Sequence, residues 1–154
     1  MKFSEFEYKR LEFEQMKDEY EKYLSELKQA NNADEFMSVF KKFNVFRGHV
    51  DSMRTICSIR HTINTADEFY DKENEYWDNT SPLLQKYEVE LSKILLDCSF
   101  KDELGIPKSF YKMAENSLKS FSPEIIEDLQ EENRLATEYG KLKSSAKIEF
   151  DGEI

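Results

Sequence analysis

From Phe13 the apolar and aromatic positions run Phe13, Met16, Tyr20, Tyr23, Leu27, Ala30, a 3-4-3-4-3 spacing that lays one stripe along one face of a helix. Acidic and basic residues fill the other face. The stretch Asn31-Asn32-Ala33-Asp34-Glu35 breaks and restarts the pattern, with Asn32 placed to cap a second helix and Glu35 at its third position, as in a capping box. That helix carries Phe36, Phe40, Phe43, Phe46 or Arg47, Val50, Met53 and Cys57, with Ile59 as a further candidate for the stripe. Continuous to about Ile63, it would span roughly 45 Å. This is more than a small isolated bundle needs, and it suggests a larger body.

Thr62-Ile63-Asn64-Thr65 joins weak helix formers to β-branched residues, and Thr65 with Glu68 repeats the capping-box spacing, so a third helix is expected near Ala66. Its stripe takes Phe69, Tyr76, Trp77, Leu84, Tyr87, Leu91, Ile94 and Cys98, and the register survives across Ser81-Pro82. Proline suits a first helical turn capped by serine as well as a kink, so one bent helix and two helices both remain open. Gly105-Ile106-Pro107 marks a turn, after which Phe110, Met113, Ala114 and Leu118 give a shorter amphipathic helix up to Ser120. Ser122-Pro123-Glu124 opens a last helix with serine at the cap and proline at its first position.

After Ala146 the period falls to two: Ile148 and Phe150 alternate with Lys147, Glu149 and Asp151, which predicts a short strand over 147–151 before an Asp151-Gly152 turn. A lone strand has nothing to pair with, and the expectation is a segment of a larger protein. The fold class expected is all-α: a single helical domain over 1–154, an antiparallel bundle of about five or six helices with that one strand.

Composition agrees and removes several functions. At 154 residues the chain fits one domain, and its 4 glycines and 3 prolines favour long helices over a turn-rich β fold. With 32 acidic against 22 basic residues the net charge is −10, whose field repels nucleic acid and anionic membrane surfaces. Met1-Lys2-Phe3-Ser4-Glu5-Phe6-Glu7 has no signal-type apolar core and no run of about 18 apolar residues occurs, so a cytoplasmic location is expected. Cys57 and Cys98 lack metal or redox spacing and read as small core residues.

A helical metallopeptidase needs two histidines one turn apart with a glutamate between them. Only His49 and His61 exist, twelve positions apart, and on one helix that puts them about 18 Å from each other along the axis. They cannot share a metal. A carboxylate-bridged two-metal site needs Glu-x-x-His pairs, and Phe46 and Ser58 stand where the glutamates belong. No glycine-rich phosphate loop occurs. No catalytic or metal residue is therefore expected. Arg60 and His61 fall in the last turn of the second helix, where cations meet the helix dipole favourably, and they are also candidate substrate contacts. Tyr76 and Trp77 are plain core by spacing and candidates for lining a peptide-binding cleft. The acidic runs Glu127-Asp128 and Glu131-Glu132 read as a solvated face.

Three co-linear stretches carry a resemblance: Ser58-Ile59-Arg60-His61-Thr62-Ile63-Asn64-Thr65 with Asp67-Glu68-Phe69-Tyr70; Phe121-Ser122-Pro123-Glu124-Ile125-Ile126-Glu127-Asp128-Leu129-Gln130-Glu131-Glu132-Asn133; and Ser145-Ala146-Lys147-Ile148-Glu149-Phe150-Asp151-Gly152. They resemble the amino-terminal region of oligoendopeptidase F type zinc metallopeptidases, relatives of thimet oligopeptidase. The resemblance implies a mostly helical enzyme whose two lobes enclose a channel that admits short peptides. Zinc belongs to the parent family, on an H-E-x-x-H helix beyond this chain's length, and none of the family's metal or catalytic residues has a matching position here. This segment would supply a channel wall and a packing surface for a C-terminal catalytic lobe, and alone it should be inactive. A stand-alone interaction module, binding a partner helix through a face such as Phe13 to Ala30, is the alternative.

Overall fold

The computed structural model describes residues 3–146, so the strand and turn expected after Ala146 lie outside the described residues. Among them are five helices, α1 (Phe13–Gln29), α2 (Ala33–Ile63), α3 (Glu68–Asp97), α4 (Lys108–Ser120) and α5 (Ile126–Ser144), and no strand. Short 3-10 turns occupy Phe3–Glu5, Lys101–Glu103 and Pro123–Ile125.

The helix boundaries follow from their caps. Asn32 accepts the Glu35 N–H at 2.9 Å as its spacing predicts, while the Glu35 carboxylate reaches back to the Asn31 N–H at 3.0 Å. α3 starts at Glu68, two residues later than expected, because Asp67 rather than Thr65 is the cap. The Asp67 carboxylate accepts the N–H groups of Phe69 and Tyr70 at 2.9 and 3.2 Å, and its charge suits the positive end of the helix dipole. The last helix also departs from expectation. Pro123 opens a 3-10 turn, Ser122 makes no side-chain cap, and its carbonyl takes the Ile125 N–H at 3.1 Å.

α1, α2 and α3 enclose the core, and the three-residue and four-residue links between them leave room only for antiparallel neighbours. Met16, Tyr20, Leu24 and Leu27 of α1 meet Phe36, Phe40, Phe43 and Cys57 of α2 and Trp77, Leu84, Tyr87 and Leu91 of α3. Tyr20 stacks on Tyr87 and lies edge-on to Phe43, both at 5.3 Å between ring centroids. Ile59 does not join this stripe: it is exposed, and Ile56 and His61 are buried in its place.

α3 touches every other helix. It is a single helix of 30 residues with Pro82 inside it. Proline has no N–H for the carbonyl of residue 78 and its ring crowds the preceding turn. Two side chains of α5 take over: Asn133 donates to the Asp78 carbonyl at 3.0 Å and Gln130 to the Asn79 carbonyl at 2.7 Å. α4 and α5 lie on α3 outside the core, α4 burying only Ala114 and α5 burying no residue fully. Phe110 and Met113, expected on the inward stripe of α4, are exposed.

Candidate functional site

Residues 6–12, without regular structure, form a strap across the start of α3 and the end of α2. Its anchor is Glu73, buried on α3. Glu73 accepts the Tyr8 hydroxyl at 2.5 Å and the Arg10 guanidinium through Nε at 2.9 Å and Nη2 at 2.6 Å. Burial works to raise the Glu73 carboxyl, but Arg10 and Tyr8 outweigh it and hold it below the usual carboxylate range. The Trp77 indole N–H donates to the Tyr8 oxygen at 3.0 Å. Burial, then Glu73, raises Tyr8, and burial pushes the Cys57 thiol up to about 12. A neutral phenol and a neutral thiol make poor nucleophiles, and the contacts of this knot hold the strap in place.

A polar groove runs over α3 between α2 and α5. Its lining repeats at helical spacing: Arg47, Asp51, Arg54, Ser58 and His61 on α2 face Asn74, Asp78, Ser81, Gln85 and Glu88 on α3, with Asn133, Thr137, Gly140 and Ser144 of α5 closing one half. Three adjoining cavities of about 520, 260 and 290 Å³ follow its length. In the middle, Asp78 accepts the Thr137 hydroxyl at 2.7 Å and the Asn74 amide at 3.1 Å. Burial raises the Asp78 carboxyl against the pull of these two donors. At the end away from α5, Arg47 is engaged by Glu88 through Nε at 2.8 Å and by Asn44 at 2.8 Å. Among the described residues, Arg54 there pairs with the exposed Asp51, at 3.1 Å. At the end beside α5, His61 Nε2 sits 3.3 Å from Asp71 Oδ1 without the alignment of a hydrogen bond, and Lys141 of α5 pairs with the same carboxylate. Lys141 is the main reason that Asp71 lies below the usual range.

Of the four residues singled out in sequence, the groove holds two. Trp77 lines its first two cavities and His61 its third. Arg60 and Tyr76 turn to the strap: Arg60 donates to the Phe6 carbonyl and the Tyr70 hydroxyl, and Tyr76 donates to the Leu11 carbonyl at 2.7 Å. Asn74, Asp78, Gln85 and Arg54 went unnoticed in the sequence. Their signal was available as 4-3-4 polar spacing on α2 and α3, the complement of the apolar stripes.

The described residues do not fit a zinc ion. His49 is exposed, His61 is buried beside Asp71, and no group of three or more His, Cys, Asp or Glu side chains converges among the described residues. None of the described helices is long and apolar enough to cross a membrane.

No curated protein matches the chain. Three solved structures do, each over 99% of it. PZ peptidase A, solved with an inhibitor, is 40% identical with a TM-score of 0.94, and the chain spans 27% of that protein's length. A structure described as oligoendopeptidase F is 40% identical with a TM-score of 0.95, the chain again spanning 27%. The oligoendopeptidase F structure from Bacillus anthracis strain Ames is 36% identical with a TM-score of 0.93, the chain spanning 28%. The chain thus corresponds to little more than a quarter of each. The model of the peptidase M3 N-terminal domain matches residues 3–121, and the chain belongs to that family.

Proposed function

We propose that this chain works as the amino-terminal helical lobe, one domain, of a cytoplasmic zinc-dependent oligopeptidase, and that its polar groove is part of the channel wall along which short peptides lie. The observation that carries the reading is the overlay of nearly the whole chain, at 40% identity, on about a quarter of a peptidase solved with an inhibitor. The groove supports it in chemical terms. Its amides, hydroxyls, carboxylates and guanidinium offer donors and acceptors at spacings suited to the amide groups of an extended chain. The zinc and the residues that activate water belong to the catalytic portion, and this lobe contributes binding and exclusion of folded proteins.

The test replaces the corresponding segment of PZ peptidase A by this chain and follows cleavage of a short internally quenched peptide with and without a zinc chelator. The chimera should cleave in a chelator-sensitive way, and the 154-residue chain alone should not. A folded chimera without activity would overturn the reading and favour the stand-alone interaction module. Chelator-resistant cleavage by the chain alone would also overturn it.

A further inference from the structure

α5 turns a mixed face inward, with Ile126 and Leu129 half-buried beside polar groups, and an apolar stripe outward. Gln130, Asn133 and Thr137 point inward and hydrogen-bond α3. On the opposite face Leu135, Tyr139 and Leu142, spaced by four and three residues, are 50%, 64% and 69% exposed. A helix whose inner face is already engaged and whose outer face shows water an apolar stripe is suited to having both sides covered. Several charges beside the stripe are engaged on α5 itself, with Arg134 pairing Glu131 and Glu138, and Lys143 lying over the Tyr139 ring at 5.5 Å.

The matches indicate what covers it. The N-terminal domain model ends at residue 121, before α5 begins, whereas the solved peptidases share 99% of the chain and continue for about three times its length. α5 therefore sits at the passage from the matched domain to the rest of those proteins. Resting on the lobe reading above, we infer that the outer face of α5, centred on Tyr139, is a docking surface for the catalytic portion of the peptidase, which meets it with an uncharged apolar patch.

Thiol footprinting tests this, in the PZ peptidase A chimera and in the isolated chain, both carrying Cys98→Ser. A thiol introduced by Tyr139→Cys should react with maleimide rapidly in the isolated chain and at least about tenfold more slowly in the chimera. Equal rates in an active chimera would overturn this placement and leave the lobe reading standing. A folded but inactive chimera would overturn the lobe reading and the placement with it. Labelling that slows in the isolated chain as its concentration rises would assign the face to a second copy and overturn the proposal. A second variant of the isolated chain, Leu135→Ser with Tyr139→Ser and Leu142→Ser, should melt within a few degrees of the parent. A fall of about ten degrees would show that the stripe packs within the chain itself, and would also overturn the proposal.

Discussion

Asn133 donates its side-chain amide to the main-chain oxygen of Asp78 at 3.0 Å, and that oxygen is the one Pro82 leaves without a helical partner. The two residues are 55 positions apart, and the bond makes α5 part of the backbone satisfaction of α3. Asn133→Ala should cost about 1–2 kcal/mol in urea unfolding. In a Pro82→Ala background the restored N–H serves the same oxygen, so the cost of Asn133→Ala should fall by about 1 kcal/mol. Equal costs in both backgrounds would separate the amide from the proline.

α5 is held by hydrogen bonds and one ion pair but buries no residue fully. Local opening is governed by buried apolar contact, so α5 should open separately from the core. Native-state hydrogen exchange should be markedly faster at the amides of α5 than at those of α2 and α3 around Phe43, Cys57 and Tyr87. Uniform protection across all five helices would contradict this.

Glu73 and Asp71 lie below their ordinary values in the folded chain. Their contribution to stability is therefore complete above the unfolded carboxylate values near about 4 and is lost as the pH falls through the depressed folded values. Asp78, raised by burial, acts in the opposite sense and favours the acid side of the same window. Glu35, Glu90, Glu115 and Glu131 are also lowered by their partners, so the depressed carboxylates outnumber the raised one and the melting temperature should decline below about pH 4.5. Glu73→Gln should flatten that decline and cost about 2 kcal/mol at neutral pH, with the emission of Trp77, the sole tryptophan, shifting red as the strap loosens. An unchanged acid limb in the variant would exclude Glu73 as its origin.

The two cysteines should differ in reactivity. Cys57 is fully buried with its thiol pushed up to about 12, whereas Cys98 is half-buried at the end of α3. Iodoacetamide at about pH 8 should modify Cys98 alone in the native chain and both after unfolding. Native labelling of Cys57 would mean that the core around Tyr8 opens readily.

Features governed by near neighbours in sequence were legible there. The Asn32–Glu35 cap, the extent of α1 and α2 and most of their buried stripes depend on residues three or four positions apart. The start of α3 was misplaced by two residues because Thr65 and Asp67 both offer a cap, and charge at the helix end favours the aspartate. Whether Pro82 ends a helix was not legible, since the groups that accommodate it, Gln130 and Asn133, lie about fifty residues further on. The strap escaped for a related reason. Residues 6–12 have no period, and only Glu73, Arg60 and Tyr76 give them a place. Arg60 and Tyr76 stood out as candidate substrate contacts because their partners, Phe6 and Leu11, are 54 and 65 residues away.

The strap also bears on how the chain is made. Tyr8 and Arg10 are synthesised more than sixty residues before the groups that receive them, Glu73 and Trp77. The tunnel hides the most recent residues as well, so the strap must wait unanchored until α2 and α3 have emerged and paired. Among these helices, a segment made before its partners is fastened only after them.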